Sequence, residues 1–333
     1  MRIIAVANQK GGCGKTTTAI NLSSSLSLKG QRVLLIDCDP QSHATMGLNV
    51  NPTDLEKSMY DVMTPRKNGL SGIEDIVVSV KDNLDLAPSS VILSAIEQEL
   101  SGVEGREDTL LQAIREIKQP YDYIIIDCPP SIGLLCFNAL RACEEVIIPI
   151  DMSLFSLRGV AKLIEIVILL KDKLGHDITP RALITMYDNR TRYSRRVLEK
   201  VKEEFGNNVF ATVVRYNIRL RETVDYGVPI GDYDKHSIGF KDYEELAEEI
   251  INSETVAVCQ GVDSLNVAQA ILHKTEEYID TVAKTPNVGQ PISEVEELIS
   301  QPYKSSYPEM IEAIAIEVAD SITEDEGEAE HYE

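Results

Sequence analysis

The chain has 333 residues, 32 of them Lys or Arg against 54 Asp or Glu, for a formal net charge of −22. That length can bury a full core, and no stretch reaches the ~20 apolar residues of a membrane-spanning helix, since "LIEIVILL" at 163–170 is short and contains Glu165. Six cysteines without C-x-x-C spacing indicate neither a zinc site nor a disulfide framework, and "RIIAVA" lacks the features of a signal peptide, so a cytoplasmic protein is expected.

In chain order, apolar β-branched runs alternate with helical patterns. "RIIAVA" leads through a glycine-rich loop into a helix over 15–29, and "RVLLID" into a stretch of no clear pattern. "YDYIIIDCPP" precedes a helix over 133–142, "EVIIPI" one over 156–174, and "ITPRALITM" one over 191–205. "VFATVV" is followed by a helix over 218–226, and an amphipathic helix over 243–253 closes the series. Continuous apolar strands separated by crossover helices predict an α/β fold with a mostly parallel sheet covered on both faces. Right-handed crossovers bring the loops after the strands to one edge, where ligands bind. Residues 254–322 read as a helical extension, with helices over 264–284, 292–300 and 308–321, and 323–333 as a disordered acidic tail.

Charge is unevenly spread. From residue 255 onward there are 3 basic residues against 17 acidic, whereas 181–221 holds 10 basic against 4 acidic. This separates a basic patch from an acidic segment.

The stretch "NQKGGCGKTTTAINL" at 8–22 carries the chemistry. Gly11, Gly12 and Gly14, with Cys13 among them, can turn backbone N–H groups inward around an anion, and the helix beginning near Lys15 adds its positive end. Lys15 suits the β- and γ-phosphates of a nucleotide, Thr16 a Mg²⁺ ion and Thr17 an α-phosphate. Gln9 stands where the pattern G-x-x-x-x-G-K-[ST] has its first glycine, and Lys10 is an extra cation. Asp127 ends an apolar strand, where a carboxylate can hold the Mg²⁺ shell, and Asp37 and Asp39 follow another. Arg192, Arg195 and Arg196 share one side of a helix, within a segment that also contains Arg190, Arg215, Arg219 and Arg221. Such a stripe suits phosphate contacts that ignore base sequence; the competing reading is a solvated face paired with Glu199, Glu203 and Glu204.

"KGGCGKTT" resembles the deviant Walker A motif of the ParA/MinD family of P-loop ATPases. In register with it, "VLLIDCDPQSHAT" resembles that family's switch I, "YDYIIIDCPPSIGLL" its Walker B and switch II, and "LITMYDNRTRYSRRV" a stretch typical of the Soj-type branch, so the likeness covers about residues 1–253. The resemblance implies a P-loop NTPase three-layer sandwich with ATP and Mg²⁺ as cofactors, and an ATPase that is weak until a partner stimulates it. Lys10 would reach across an ATP-dependent sandwich homodimer to the other subunit's phosphates, while Lys15 serves its own. Asp39 would orient the attacking water, and Asp37 and Asp127 would support the metal with Thr16. Nonspecific duplex DNA would bind the basic surface, with Arg190 and Arg219 at matching positions, and a ParB-like centromere-binding protein would release it, giving a nucleoid-associated protein.

Two departures stand out: "RYNIRLRETVD" where the family has "PRN-x-RLSEAPS", and Arg158 in "SLRG" where an acid is common. An acidic C-terminal region argues against a MinD-like membrane role, and no helix-turn-helix region before the loop argues against operator-specific repression. The alternative that stays open is a cargo-positioning relative, serving chemoreceptor arrays or carboxysomes through an adaptor with the same cycle.

Overall fold

The computed structural model describes residues 1–64, 72–152, 154–257 and 268–274. Its strands are β1 Arg2–Val6, β2 Val33–Asp37, β3 Val78–Lys81, β4 Leu84–Ala87, β5 Tyr123–Asp127, β6 Glu145–Ile150, β7 Thr179–Tyr187 and β8 Val209–Arg215. They form one sheet in the order β3-β4-β2-β5-β1-β6-β7-β8, and among the described residues only the β3–β4 pair is antiparallel. The helices are α1 Lys15–Leu28, α2 His43–Met46, α3 Met59–Met63, α4 Ile96–Glu99, α5 Thr109–Arg115, α6 Leu134–Ala142, α7 Leu154–Leu174, α8 Arg192–Phe205, α9 Arg219–Tyr226, α10 Ile230–Tyr233 and α11 Ile238–Ala257.

The unbroken apolar strands are explained by two cores. Successive residues of a strand point to opposite faces, so Ile3 and Ala5 of β1 join one core while Ile4 and Val6 join the other. The same split divides Leu34 and Ile36 from Val33 and Leu35 in β2, and Ile124 and Ile126 from Tyr123 and Ile125 in β5. One core packs against α3, α5, α6 and α8; the other against α1, α9, α10 and α11. The result is a three-layer α/β sandwich. Each fully buried Ile or Leu stabilises it by roughly 1.5–3 kcal/mol before chain entropy is counted.

Three details differ from the sequence reading. The stretch after β2 holds a two-strand edge, β3 and β4, among short helices. The closing helix begins at Ile238 rather than 243, because the Ser237 hydroxyl accepts the Phe240 N–H at 3.1 Å and caps the first turn. It also continues to Ala257. Residues 268–274 are helical, inside the span expected at 264–284; the remainder of that span, the helices at 292–300 and 308–321, and the tail at 323–333 lie outside the described residues.

Chain order places the ligand edge. β1 lies between β5 and β6, so the connections diverge to either side of it, and a crevice opens at its carboxyl end. Because β1, β2, β5, β6, β7 and β8 run parallel, the segments leaving their last residues all gather there.

Candidate functional site

After Val6 the chain enters the loop 8–14, and its shape is set by two glycines. Gly12 and Gly14 have φ of +74° and +95°, a region that side chains disfavour, and Gly14 is the residue from which α1 starts. The first turn of α1 carries no acidic residue, so its free N–H groups and positive end face the loop uncompensated. Lys15 is the first residue of α1 and only 7% exposed, and its Nζ donates to the Lys10 carbonyl at 3.0 Å. Thr16 and Thr17 follow, partly exposed.

The loop is held from outside by residues that the sequence reading did not single out. Asn8 Nδ2 donates to the Pro149 carbonyl at 2.7 Å, and its Oδ1 accepts the Lys10 N–H at 3.0 Å. The Thr185 hydroxyl donates to the Cys13 carbonyl at 2.8 Å. Gly159 of α7 packs so closely that an added Cβ would lie 2.5 Å from Asn8 Oδ1 and 3.3 Å from the Lys10 nitrogen. Cys13 itself is buried, its thiol donating to the Lys10 carbonyl at 3.2 Å and pushed up in pKa by burial. The Lys10 ammonium forms an ion pair with Asp151, just after β6. The two lysines are thus differently disposed: Lys15 turns into the loop, and Lys10 lies along its rim.

Three carboxylates gather beside the loop, at or just past the ends of the neighbouring strands β2 and β5. Asp37 and Asp127 are paired in register. Asp37 is fully buried and well satisfied: Oδ2 accepts the Thr45 N–H at 2.8 Å and the Thr45 hydroxyl at 2.7 Å, and Oδ1 accepts the Asp39 N–H at 3.1 Å. Burial raises its carboxyl to about 6 despite those donors. Asp39 is 5% exposed, and its Oδ1 accepts the Gln41 N–H at 2.9 Å. Asp127 is the outlier. Both of its oxygens are buried without a hydrogen-bond partner, and burial and the neighbouring Asp37 hold its carboxyl well above the usual range, with the nearby Thr16 hydroxyl pulling the other way.

An unpartnered buried carboxylate is costly unless a cation completes it. That fits a Mg²⁺ ion reaching Asp127 through its shell. Among the described residues no group of three or more His, Cys, Asp or Glu is arranged to hold a metal alone. Mg²⁺ does not need one, since it is commonly held by one or two protein oxygens together with phosphates and water.

A cleft continues from the loop between β7, β8 and α9, lined by Gly14, Thr17, Met186, Val214, Asn217 and Leu220 among others. Met186 adopts φ of 54° where the β7–β8 register shifts, backbone strain located at the cleft wall. Nothing in the local sequence marks this cleft, which depends on how β8 and α9 close over α1.

The seven arginines separate into two groups. Arg192, Arg195 and Arg196 are exposed on α8, whose N-cap is the Thr191 hydroxyl accepting the Ser194 N–H at 3.1 Å. The others are engaged. Arg190 is bidentate on Asp188, holding that carboxyl down to about 2. Arg219 meets Glu222 at 3.1 Å and Asp234 at 3.8 Å, and Arg221 lies over the Tyr216 ring at 5.7 Å. Arg215 is tied by its backbone and guanidinium to Asp242 of α11, which is buried, and also lines the cleft.

A strained glycine loop opening a buried helix, a lysine inside it and an uncompensated carboxylate on the neighbouring strand define a P-loop nucleotide site. A family model described as an AAA domain matches residues 1–180. Sporulation initiation inhibitor protein Soj of Bacillus subtilis is 42% identical over 250 residues, covering 75% of this chain and 98% of that protein. Chromosome partitioning protein ParA of Caulobacter vibrioides is 37% identical over 262 residues, covering 76% and 95%. Among solved structures, cobyrinic acid a,c-diamide synthase of Mycobacterium smegmatis with bound ATP analog and magnesium superposes with a TM-score of 0.67 at 31% identity, covering 77% of this chain and 97% of that one. The chain belongs to the ParA/MinD family of deviant Walker A P-loop ATPases, on its Soj-type side. No described helix is long and apolar enough to cross a membrane.

Proposed function

We propose that this protein is a partition ATPase that binds ATP and Mg²⁺, pairs with a second copy over two facing nucleotides, holds duplex DNA without regard to sequence, and lets go when a ParB-like partner stimulates hydrolysis. The observation that carries the nucleotide reading is Asp127, a buried carboxylate whose oxygens accept no well-formed hydrogen bond, with Thr16 and Lys15 nearby, beside a loop built for anions. Lys15 and the N–H groups from Gly11 to Thr17 cradle the phosphates, and the cleft of Met186, Val214 and Leu220 takes the base, with the Asn217 side chain at its edge. Thr16 and Asp127 would hold the metal, which would supply positive charge to the phosphates. Asp37 acts more as the anchor that pins the segment from Asp39 to Thr45 to β2 than as a direct ligand, because its oxygens already accept three bonds. Asp39 orients the attacking water; its N–H on Asp37 and its acceptance of the Gln41 N–H support that role by fixing the side chain.

Lys10 supplies the link to a second subunit. Its ammonium lies at the rim, 23% exposed and paired with Asp151, from where it can turn to a facing triphosphate. Two nucleotides brought face to face concentrate negative charge, and one added cation per site offsets it. The DNA surface centres on Arg192, Arg195 and Arg196, extended by Arg190, Arg219 and Arg221; Arg215 is committed to Asp242. The relatives named for chromosome partitioning support segregation as the task.

Sedimentation and DNA retention with ATP, with ADP and with neither test the cycle: dimer and retained DNA are expected with ATP alone. Lys15→Ala should abolish nucleotide binding, and Lys10→Ala should keep it while losing the dimer. A Lys10→Ala protein that still dimerised with ATP would remove that lysine from the interface.

A further inference from the structure

Arg192, Arg195 and Arg196 are exposed and have neither an ion pair nor a hydrogen-bond partner for their side chains among the described residues. Glu199, one turn further on, does not engage them, and Glu203 is paired with Lys200 at 3.5 Å. Three like charges on one helical face, uncompensated, form an anion-seeking stripe.

The chain returns to this same helix after α11. Residues 268–274 are helical, and Ala268 and Ile271 are buried in the core that also contains Val197, Val201 and Phe205 of α8. The Lys274 ammonium donates to the Glu203 carbonyl at 2.9 Å, satisfying one of the free carbonyls at the end of α8. The C-terminal segment therefore sets out from beside α8. From Glu203 back to Arg195 and Arg192 is only about 12–17 Å along the helix axis, at ~1.5 Å per residue.

The chain beyond Lys274 is strongly acidic. Residues 275–333 contain 16 Asp or Glu against 2 Lys, and 309–333 contain 10 Asp or Glu with no Lys or Arg at all. The 34 residues between Lys274 and Glu309 can span several times the distance to the stripe, even at a fraction of their extended ~3.3 Å per residue. The shared fold of the relatives does not account for this segment, since the match to Soj covers 98% of that protein but 75% of this chain.

We propose that the acidic segment 309–333 of this chain docks on the Arg192–Arg195–Arg196 face of α8 and competes there with the phosphates of DNA. Docking rests on charge and tethering alone; its consequence for DNA rests on the function proposed above. Anchoring at residues 268–274 keeps the acidic segment at high local concentration, so weak individual pairs suffice to occupy the stripe. The contact is a release device: any DNA held must displace it, and loss of DNA lets it return.

The test uses the full chain. Carbodiimide, which joins a carboxylate to an amine only when they touch, is applied without DNA, and the products are mapped by mass spectrometry. Crosslinks from Lys200 and Lys202 of α8 to carboxylates of 309–333 are expected. They should disappear in the triple variant Arg192→Glu, Arg195→Glu, Arg196→Glu, and above roughly 0.5 M salt, where screening is short-ranged. In parallel, a full-length variant with all ten acidic residues of 309–333 changed to Gln or Asn should retain DNA about tenfold more tightly at low salt with ATP, an advantage that fades as salt rises. Absence of the crosslinks in the unaltered chain overturns the docking, even if DNA affinity rises in the neutralised variant. Crosslinks that depend on the arginines, in a protein that retains no DNA in either form, sustain the docking and refute the DNA reading instead.

Discussion

Thr45→Val changes almost nothing in shape, yet it removes the hydroxyl that ties the segment after β2 to the sheet. Thr45 is fully buried on α2; its hydroxyl donates to Asp37 Oδ2 at 2.7 Å and accepts the Ser89 N–H at 2.9 Å. Losing a hydrogen bond to a charged acceptor costs about 1.5–3 kcal/mol, and leaving the Ser89 N–H buried without a partner about 1–3 kcal/mol more. The expected loss at pH 8 is therefore roughly 3–5 kcal/mol, read from urea unfolding, with Thr45→Ser, which keeps the hydroxyl, within about 1.5 kcal/mol of the parent.

The effect should shrink in acid. Asp37 has its folded carboxyl raised to about 6, against ~3.9 when unfolded, so its protonation favours the fold as pH falls through 6, and that stabilisation is lost as pH rises through 6. At pH 5 the hydroxyl faces a neutral group while the Ser89 N–H is still left without its acceptor, and the cost of Thr45→Val should drop to roughly 2–4 kcal/mol. A loss below about 1 kcal/mol at pH 8, or one that does not change with pH, would mean that Asp37 is not held by α2, and the anchoring role proposed for it would fall.

Gly159→Ala should cost about 1–3 kcal/mol by driving a methyl into Asn8 Oδ1 and the Lys10 nitrogen, and nucleotide affinity should fall with it; unchanged affinity by calorimetry would show that α7 does not shape the loop. Asp127→Asn replaces a buried carboxyl that is already held well above its usual range, so thermal stability without metal should hold or rise, while stabilisation by Mg²⁺ with ATP disappears; a lower melting temperature without metal would contradict the reading of this carboxylate as uncompensated. His176, whose Nε2 lies 2.9 Å from the Cys143 carbonyl, has its pKa lowered by burial first and then by Arg141. Its stabilising contribution is complete above the unfolded value of ~6.5 and is lost as pH falls below it, so His176→Gln should flatten stability between pH 7 and 5; an unaltered slope there would refute the assignment.

The strands were readable because burial on both faces leaves their interiors mostly apolar, and the loop because a positive φ at Gly12 and Gly14 admits little but glycine. The basic helix could be found from its spacing. β3 and β4 were not, being four-residue strands at an edge, too short for any periodicity to register. α1 was expected over 15–29 from the loop that opens it, although it carries almost no amphipathic pattern, since it is buried nearly all round, with Ser23, Ser24, Ser25 and Ser27 inside.

The sequence by itself determined the fold class, the anion loop and the family likeness, because each is local: adjacent residues set the backbone geometry and strand character. Only the tertiary structure decided which charges are free. Arg215 and Arg192 look alike in the chain, but one meets Asp242 across 27 positions and the other faces solvent. Likewise Asp37 finds two donors in Thr45 while Asp127, its neighbour in register, accepts no well-formed hydrogen bond. Partnership of a charge depends on what folding brings within a few ångströms, which spacing along the chain does not specify.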